Sequence, residues 1–332
     1  MKLQKLLSVE NSITLHEGEY EKMNRKKAGL LYLIIACVSI GISFLLTALY
    51  AKFEFELDMI PNILISEAML IVPTFFVLLF SKDKLKDVLS IRKIKWSTFF
   101  GVIAFTMASS PLITLVNLVS QLFVENTVTE NSAQFLSLHP LLLLFFVGIL
   151  APVCEEVVFR GAIFGGMKKE GNIFKAVMAS GLLFGLLHMN INQASYAFVI
   201  GILLGFLVEA TGSIFSSILF HILVNSSNVV MMLISDNAVS EEMMATADDM
   251  ITPALLWNMI AIYAVLSVIG TTIAICLLVW MSKIEGRQPL LVKAWKDRKI
   301  KEGKVISVSF VIGVVLSIMF MLLEFIPLEN LG

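Results

Sequence analysis

Nine apolar stretches follow one another along the chain, and short polar segments separate them. A membrane-spanning helix needs about 20 mostly apolar residues, so most of these stretches are long enough to cross a bilayer. The fifth and sixth are shorter, which predicts helices that their neighbours shield from lipid. The nine stretches cover residues 28–50, 60–80, 98–123, 140–164, 173–188, 194–209, 213–234, 254–281 and 305–325.

The composition agrees with this pattern. The chain has 332 residues, of which 58% are hydrophobic and 15% are charged, and its mean hydropathy is +0.87. A soluble protein has about 25% charged residues. We therefore predict an all-α polytopic membrane protein, in which a bundle of about eight or nine transmembrane helices surrounds an intramembrane polar cavity. The bilayer is its first expected partner, and we expect no nucleic-acid partner.

Charged residues are distributed unevenly between the loops. If the N-terminus is cytoplasmic and nine spans alternate, the inside segments hold every Lys and Arg except Lys52, which is outside, and Arg160, which is within a span. The outside loops are acidic: one contains Glu125 and Glu130, and another contains five carboxylates in residues 236–249. Cytoplasmic loops of membrane proteins are rich in Lys and Arg. We therefore predict a multi-pass cell-membrane protein with a cytoplasmic N-terminal segment, 1–27, and an integral membrane domain, 28–332.

Three charged residues interrupt the fourth apolar stretch, namely Glu155, Glu156 and Arg160. A charge near the middle of a bilayer costs at least about 2.5–3.5 kcal/mol, so it usually has a partner or a function. Glu156 and Arg160 are four residues apart and can form an ion pair on one helix face. Glu155 is rotated by about 100° and lacks that partner. Either all three form one stabilising cluster, or the pair supports the helix and Glu155 acts as a base.

Two histidines lie in later apolar stretches. His188 follows Phe184 by four residues, and His221 precedes Asn225 by four, so Asn225 lies one turn on, on the same helix face. A lone histidine of this kind is more often a core residue bonded to a carbonyl. Two histidines, an amide and an unpaired carboxylate on nearby helices instead indicate a catalytic site. Helix lengths predict that Glu155, His188 and His221 meet near the middle of the membrane, in a site that opens toward the cytoplasm.

These motifs resemble the CAAX protease and bacteriocin-processing (CPBP, or Abi) family of intramembrane endopeptidases, also described as type II CAAX prenyl endopeptidases. The family pattern is Glu-Glu-x-x-x-Arg, then Phe-x-x-x-His, then His-x-x-x-Asn. The chain has all three in this order, within a core of about residues 140–234. Members of the family are linked to peptide maturation and immunity, which extends the expectation to bacteriocin processing or immunity.

The resemblance implies a peptidase that hydrolyses a peptide bond of a membrane-associated peptide or protein tail. Glu155 would activate water with the help of His188, and His221 and Asn225 would bind the substrate and stabilise the oxyanion. The supporting residues would be Glu156, Arg160 and Phe184.

Three alternatives stay open at this stage. Glu155, His188 and His221 could together bind a divalent metal such as zinc and leave a fourth position for water, although the chain lacks the His-Glu-x-x-His motif of soluble zinc proteases. Intramembrane Glu, His and Arg also occur in proton-linked transporters, although no repeated half is visible. A non-catalytic immunity or scaffold protein could keep the same residues for stability. Cys154 adjoins Glu155, and we expect it to be an unreactive buried thiol.

Overall fold

The computed structural model describes residues 22–130, 132–238 and 252–325. Residues 1–21 of the predicted cytoplasmic segment therefore lie outside the described residues, as do the carboxylates between residues 241 and 249 of the second acidic loop. Within the described ranges the regular elements are all helices, which confirms the prediction of an all-α polytopic membrane protein.

Each of the nine apolar stretches forms a helix, and seven of these helices are long and apolar enough to cross a membrane. The described helices of nine or more residues are α1 (Arg25–Phe53), α2 (Met59–Leu79), α3 (Trp96–Ser120), α4 (Pro140–Met167), α5 (Ile173–Leu187), α6 (Ile191–Thr211), α7 (Ile214–Ala238), α8 (Pro253–Ile284), α9 (Gln288–Lys296) and α10 (Val308–Leu322). The two shorter helices of the nine are α5 and α10, with 15 residues each. A short amphipathic helix, α9, lies between α8 and α10.

The prediction that the sixth apolar stretch is short is wrong. Helix α6 has 21 residues, because it begins three residues before Ala194 and continues to Thr211. The side chain of Asn190 accepts a hydrogen bond from the backbone N–H of Gln193, which caps the first turn although that turn is polar. Gly212, with φ of 71°, ends the helix in the left-handed conformation that favours glycine.

One end of the bundle carries the basic turns, and contacts join these turns to each other. The carboxylate of Asp83 lies 2.8 Å from Lys169 Nζ and accepts a hydrogen bond of 2.6 Å from the backbone N–H of Met23. Burial would raise the pKa of Asp83, but these hydrogen bonds hold it below its ordinary value. Arg287 pairs with Glu209 at 2.9 Å. We call this end, which comprises the turns 80–95, 168–172, 212–213 and 285–307, the basic end.

The opposite end of the bundle is formed by residues 121–139 and by the turn 188–190 between α5 and α6, and we call it the loop end. The side chain of Asn192, near the start of α6, donates hydrogen bonds of 2.9 Å to both Asn117 and Ser120 at the end of α3. Thr127 donates to Asn190 at 3.2 Å. These bonds hold the turn that carries His188 against the end of α3.

Helices α5 and α6 approach each other closely where two glycines face one another. A Cβ atom added to Gly201 would lie 2.7 Å from the Cα atom of Gly181. Real Cβ atoms do not approach a backbone atom so closely, so a side chain at this position would push the two helices apart. Because α5 ends at the turn that carries His188, this contact also fixes the position of that histidine.

Gly201→Val is therefore expected to lower the stability of the protein by about 1–3 kcal/mol, the usual cost of overpacking a tight contact. Thermal unfolding of the detergent-solubilised protein measures this as a lower Tm. Gly41→Val is the matched control, because a Cβ at Gly41 meets no atom within 4 Å and the helical cost of valine is the same. Equal Tm values for the two variants would show that the glycine contact does not hold α5 and α6 together.

Candidate active site

Helix α4, which carries the Glu155-Glu156 motif, is not a regular α-helix. Two π-helical stretches, Leu144–Leu150 and Val157–Ile163, flank the α-helical segment Ala151–Glu156. Such stretches are rare and frequently mark functional sites. In a π-helical stretch each N–H bonds the carbonyl five residues earlier instead of four, so different backbone carbonyls of α4 are left for neighbouring helices to bond.

Pro152 helps to dock α7 onto α4. Proline has no N–H, so a carbonyl four or five residues earlier lacks its helical donor: Gly148 in α-helical spacing, or Val147 in the π-helical spacing of this stretch. The hydroxyl of Ser226 on α7 donates to the carbonyl of Gly148 at 3.2 Å. The preceding residue of α7, Asn225, donates from Nδ2 to the carbonyl of Val147 at 3.3 Å. These two bonds fix Asn225 and, with it, the face of α7 that carries His221.

The expected pair of Glu156 and Arg160 is present and fully buried. Arg160 Nη1 lies 3.1 Å from Glu156 Oε1, and both side chains have 0% exposure. The guanidinium carbon of Arg160 lies 4.2 Å from the centre of the Phe184 ring. The pair is not self-contained, however, because Glu156 Oε1 also lies 3.1 Å from Nδ1 of His221. Glu156 therefore connects the charged pair on α4 to the histidine on α7.

His221 lies between the two neighbouring carboxylates. Its Nδ1 faces Glu156, and its Nε2 lies 3.7 Å from Glu155 Oε2. The Glu155 side chain is 13% exposed, and Oε2 has no hydrogen-bond partner among the described residues. Glu155 is thus separated from the Glu156–Arg160 pair as the sequence predicts, and it lies beside His221, the histidine expected to bind the substrate.

His188 lies directly after the last residue of α5. Its Nδ1 is 3.1 Å from the carbonyl oxygen of Phe184. A carbonyl only accepts hydrogen bonds, so Nδ1 carries the proton and Nε2 is left as an acceptor. The Phe184 ring contacts the rings of both His188 and His221 edge to face, with centroids 5.4 and 5.5 Å apart. Phe184 therefore sets the spacing between the two histidines.

Glu155, His188, His221 and Asn225 line one cavity of about 260 Å³. The structure thus brings all four predicted residues together, from helices α4, α5 and α7. The cavity is also bounded by α3, α6 and the segment 132–136, and these walls belong to the halves of the helices near the loop end. The cavity therefore lies nearer the loop end than the basic end, toward which the sequence analysis expected the site to open.

Glu67 on α2 was not among the site residues predicted from the sequence. This side chain is 9% exposed, and its Oε2 has no hydrogen-bond partner among the described residues. Glu67 lies beside the Cys154 thiol and close enough to Glu155 to interact with it electrostatically. It is the only charged residue between Met59 and Leu79, and a lone carboxylate in an apolar helix is a signal that could have identified it. Cys154 is therefore a partner of Glu67, and not simply an apolar core residue.

The zinc alternative requires Glu155, His188 and His221 to converge on one point. Nδ1 of each histidine already has a partner, Glu156 for His221 and the carbonyl of Phe184 for His188, which leaves the two Nε2 atoms and Glu155 as the possible ligands. No group of three or more His, Cys, Asp or Glu side chains within the described ranges is arranged to hold a metal. Glu155, His188 and His221 share the cavity without forming the ligand set that the zinc alternative requires, so no step below passes through a metal.

Comparison with known proteins agrees with the motifs. The chain is 30% identical over 109 residues to "Putative membrane peptidase YdiL" of Bacillus subtilis (strain 168), covering 33% of this chain and 44% of YdiL. It is 28% identical over 123 residues to "UPF0177 protein YxdF" of Lactococcus lactis subsp. lactis (strain IL1403), covering 36% of this chain and 67% of YxdF. The chain thus matches less than half the length of YdiL.

No solved structure matches the chain significantly. The family comparison is informative because the matched segment contains the whole candidate site from Glu155 to Asn225. Residues 137–227 match the family described as Type II CAAX prenyl endopeptidase Rce1-like, which confirms the resemblance predicted from the three motifs.

Proposed function

We propose that this protein is an intramembrane endopeptidase that hydrolyses a peptide bond of a membrane-associated peptide or protein tail. The observation that carries the proposal is the shared cavity, which is lined by a carboxylate, two histidines and an amide from α4, the end of α5 and α7. Oε2 of the carboxylate has no hydrogen-bond partner among the described residues. Attack of water on an amide requires a base, an orienting group and a donor for the oxyanion. These four side chains can supply all three.

Glu155 is the proposed general base. Its carboxylate takes a proton from a water molecule that His188 Nε2 orients, and the water oxygen bonds to the carbonyl carbon of the substrate. Nε2 is available for this role because Nδ1 is bonded to the Phe184 carbonyl. When the tetrahedral intermediate collapses, the C–N bond breaks and Glu155 passes the proton to the leaving amine. The base therefore returns to its starting state.

Asn225 and His221 are the proposed substrate-binding groups. An asparagine side chain has two N–H donors, and one N–H of Asn225 is used by the carbonyl of Val147. The second N–H is left for the substrate carbonyl and for the oxyanion that forms from it. For His221, Glu156 occupies Nδ1, so Nε2, which lies 3.7 Å from Glu155, is the nitrogen that would contact the substrate next to the base. Glu156, Arg160 and Phe184 would act indirectly, by holding the two histidine rings in place.

A comparison of membrane peptides from cells that express the wild type or Glu155→Ala tests this function. Mass spectrometry of new peptide termini is expected to find fragments that are present only with the wild type, although both proteins accumulate in the membrane. Identical termini with both proteins would favour a non-catalytic immunity or scaffold role. Proton-coupled solute flux in liposomes without new termini would favour a transporter.

A further inference from the structure

The candidate cavity has a closed side and an open side, and the open side determines how a substrate can enter. We propose that the substrate is an apolar, extended peptide segment that enters from the loop end, on the non-cytoplasmic face of the membrane. This proposal rests on the peptidase function proposed above. The side-chain amides of Gln193 and Asn228 at the cavity mouth would bind its backbone.

Buried side chains fill the side of the cavity that faces the basic end, and we call this side the floor. One turn beyond Glu155 along α4, the side chains of Val158 and Phe159 are fully buried, and so are those of Ile163 and Phe164 on the following turn. Phe220, next to His221 on α7, is also fully buried. These buried side chains come from two different helices and lie between the basic turns and the site residues Glu155 and His221 along α4 and α7.

The open side of the cavity faces the loop end. Phe135 of the segment 132–136 and Met232, near the far end of α7, both line it. The described Lys and Arg residues, except Lys52 and the buried Arg160, lie in the turns of the basic end or at the adjoining helix ends, which hold residues 22–27, Lys175 and Lys283. Since Lys and Arg mark the cytoplasmic side, the cavity mouth lies on the other side. A substrate would therefore reach Glu155 from outside the cytoplasm.

Two amides at the mouth are positioned to bind a peptide backbone. His221, Asn225 and Asn228 are spaced i, i+4 and i+7 on α7, so they lie on one face of the helix, and this face lines the cavity. Asn228 is exposed, and Gln193 on α6 is half-buried across the same cavity. Neither side-chain amide is hydrogen-bonded by the part of the chain that the structure describes. An amide offers both a donor and an acceptor, which match the C=O and N–H of an extended strand.

The remaining walls of the mouth are apolar, with Ile113, Val229 and Met232 among them. Apolar walls favour apolar side chains of the substrate. Amides that bind the peptide backbone do not discriminate between side chains. The substrate class that fits is therefore a hydrophobic segment of a membrane-anchored or exported peptide, presented in extended form. A tail presented on the cytoplasmic side does not fit this access route.

Single-cysteine labelling tests the access route without requiring activity. In a background with Cys37, Cys154 and Cys276 replaced by Ser, Asn228→Cys is compared with Phe123→Cys at the loop end and Lys93→Cys at the basic end. A membrane-impermeant maleimide is expected to modify Asn228→Cys and Phe123→Cys in intact cells, and Lys93→Cys only in inverted vesicles. Modification of Asn228→Cys only in inverted vesicles, or from neither side, would overturn the proposal.

Kinetics test the amides separately, on a peptide found by the comparison of termini. Asn228→Ala and Gln193→Ala are each expected to raise KM about 3–10-fold with little change in kcat, the effect of losing one neutral hydrogen bond. Asn62→Ala is the matched control, because Asn62 is exposed on α2 and away from the cavity. An unchanged KM in both variants would overturn the role of the amides. Absence of all cleavage by the wild type would instead contradict the peptidase function, and the labelling result would still stand.

Discussion

Replacement of Glu155 by Gln is expected to abolish cleavage, with kcat reduced by about two to four orders of magnitude, the usual contribution of a general base. Glutamine keeps the size of the side chain but cannot take a proton from water. The loss should appear in kcat and in kcat/KM together, because the base acts in the transition state more than in substrate binding. The measurement is the rate of cleavage by purified protein in detergent or liposomes.

Stability should not explain this loss. Glu155 Oε2 has no hydrogen-bond partner among the described residues, so an amide at this position removes no hydrogen bond and changes only the 3.7 Å contact with His221 Nε2. The protein should therefore accumulate in the membrane and unfold at the Tm of the wild type. Cys154→Ser is a suitable control at the adjacent residue, since serine keeps a donor for Glu67, and cleavage should persist. Full activity of Glu155→Gln would contradict the proposed role.

Replacement of Arg160 by Met is expected to cause the largest loss of stability, about 3–5 kcal/mol. The reason is that Glu156 would be left as a fully buried carboxylate without its cation. Thermal unfolding in detergent, or the amount of protein in the membrane, measures the effect. The double variant Glu156→Gln with Arg160→Met should recover part of the loss, since it removes both charges together. A double variant less stable than Arg160→Met alone would contradict this explanation.

A surface pair provides the comparison for Arg160. Lys169 pairs with Asp83 at the basic end, and the Lys169 side chain is 36% exposed. Exposed ion pairs contribute only about 0–1 kcal/mol, so Lys169→Met should change Tm little. Similar losses in Arg160→Met and Lys169→Met would mean that burial does not decide the strength of the pair. Arg160→Met should also reduce cleavage, because Glu156 would no longer hold His221 Nδ1 firmly.

The local features of the fold could be predicted from the sequence. Apolar runs of suitable length became helices, since a chain in lipid must satisfy its backbone within each helix. The four-residue spacing of Glu156 and Arg160 gave their pair, and the spacing of His221 and Asn225 placed both on the cavity face of α7. The order of the motifs predicted the four residues that the structure brings to one cavity.

Features that depend on packing between helices could not be predicted in this way. The bond between His221 and Glu156 joins residues 65 positions apart. The closed floor depends on Phe159 and Phe220 from different helices, and apolar residues at these positions look like any other lipid-facing side chains in the sequence. The proposed access from the loop end rests on that floor, whereas helix lengths alone led to the opposite expectation.

The central claim is that Glu155 activates water for peptide hydrolysis. Its most direct test is cleavage by wild-type and Glu155→Gln protein, purified into liposomes with extracted membrane peptides, in water enriched in ¹⁸O. With the wild type, new carboxyl termini that carry ¹⁸O from the solvent are expected. With Glu155→Gln, no such termini are expected. The same labelled termini with both proteins, or no termini with either, would contradict this claim.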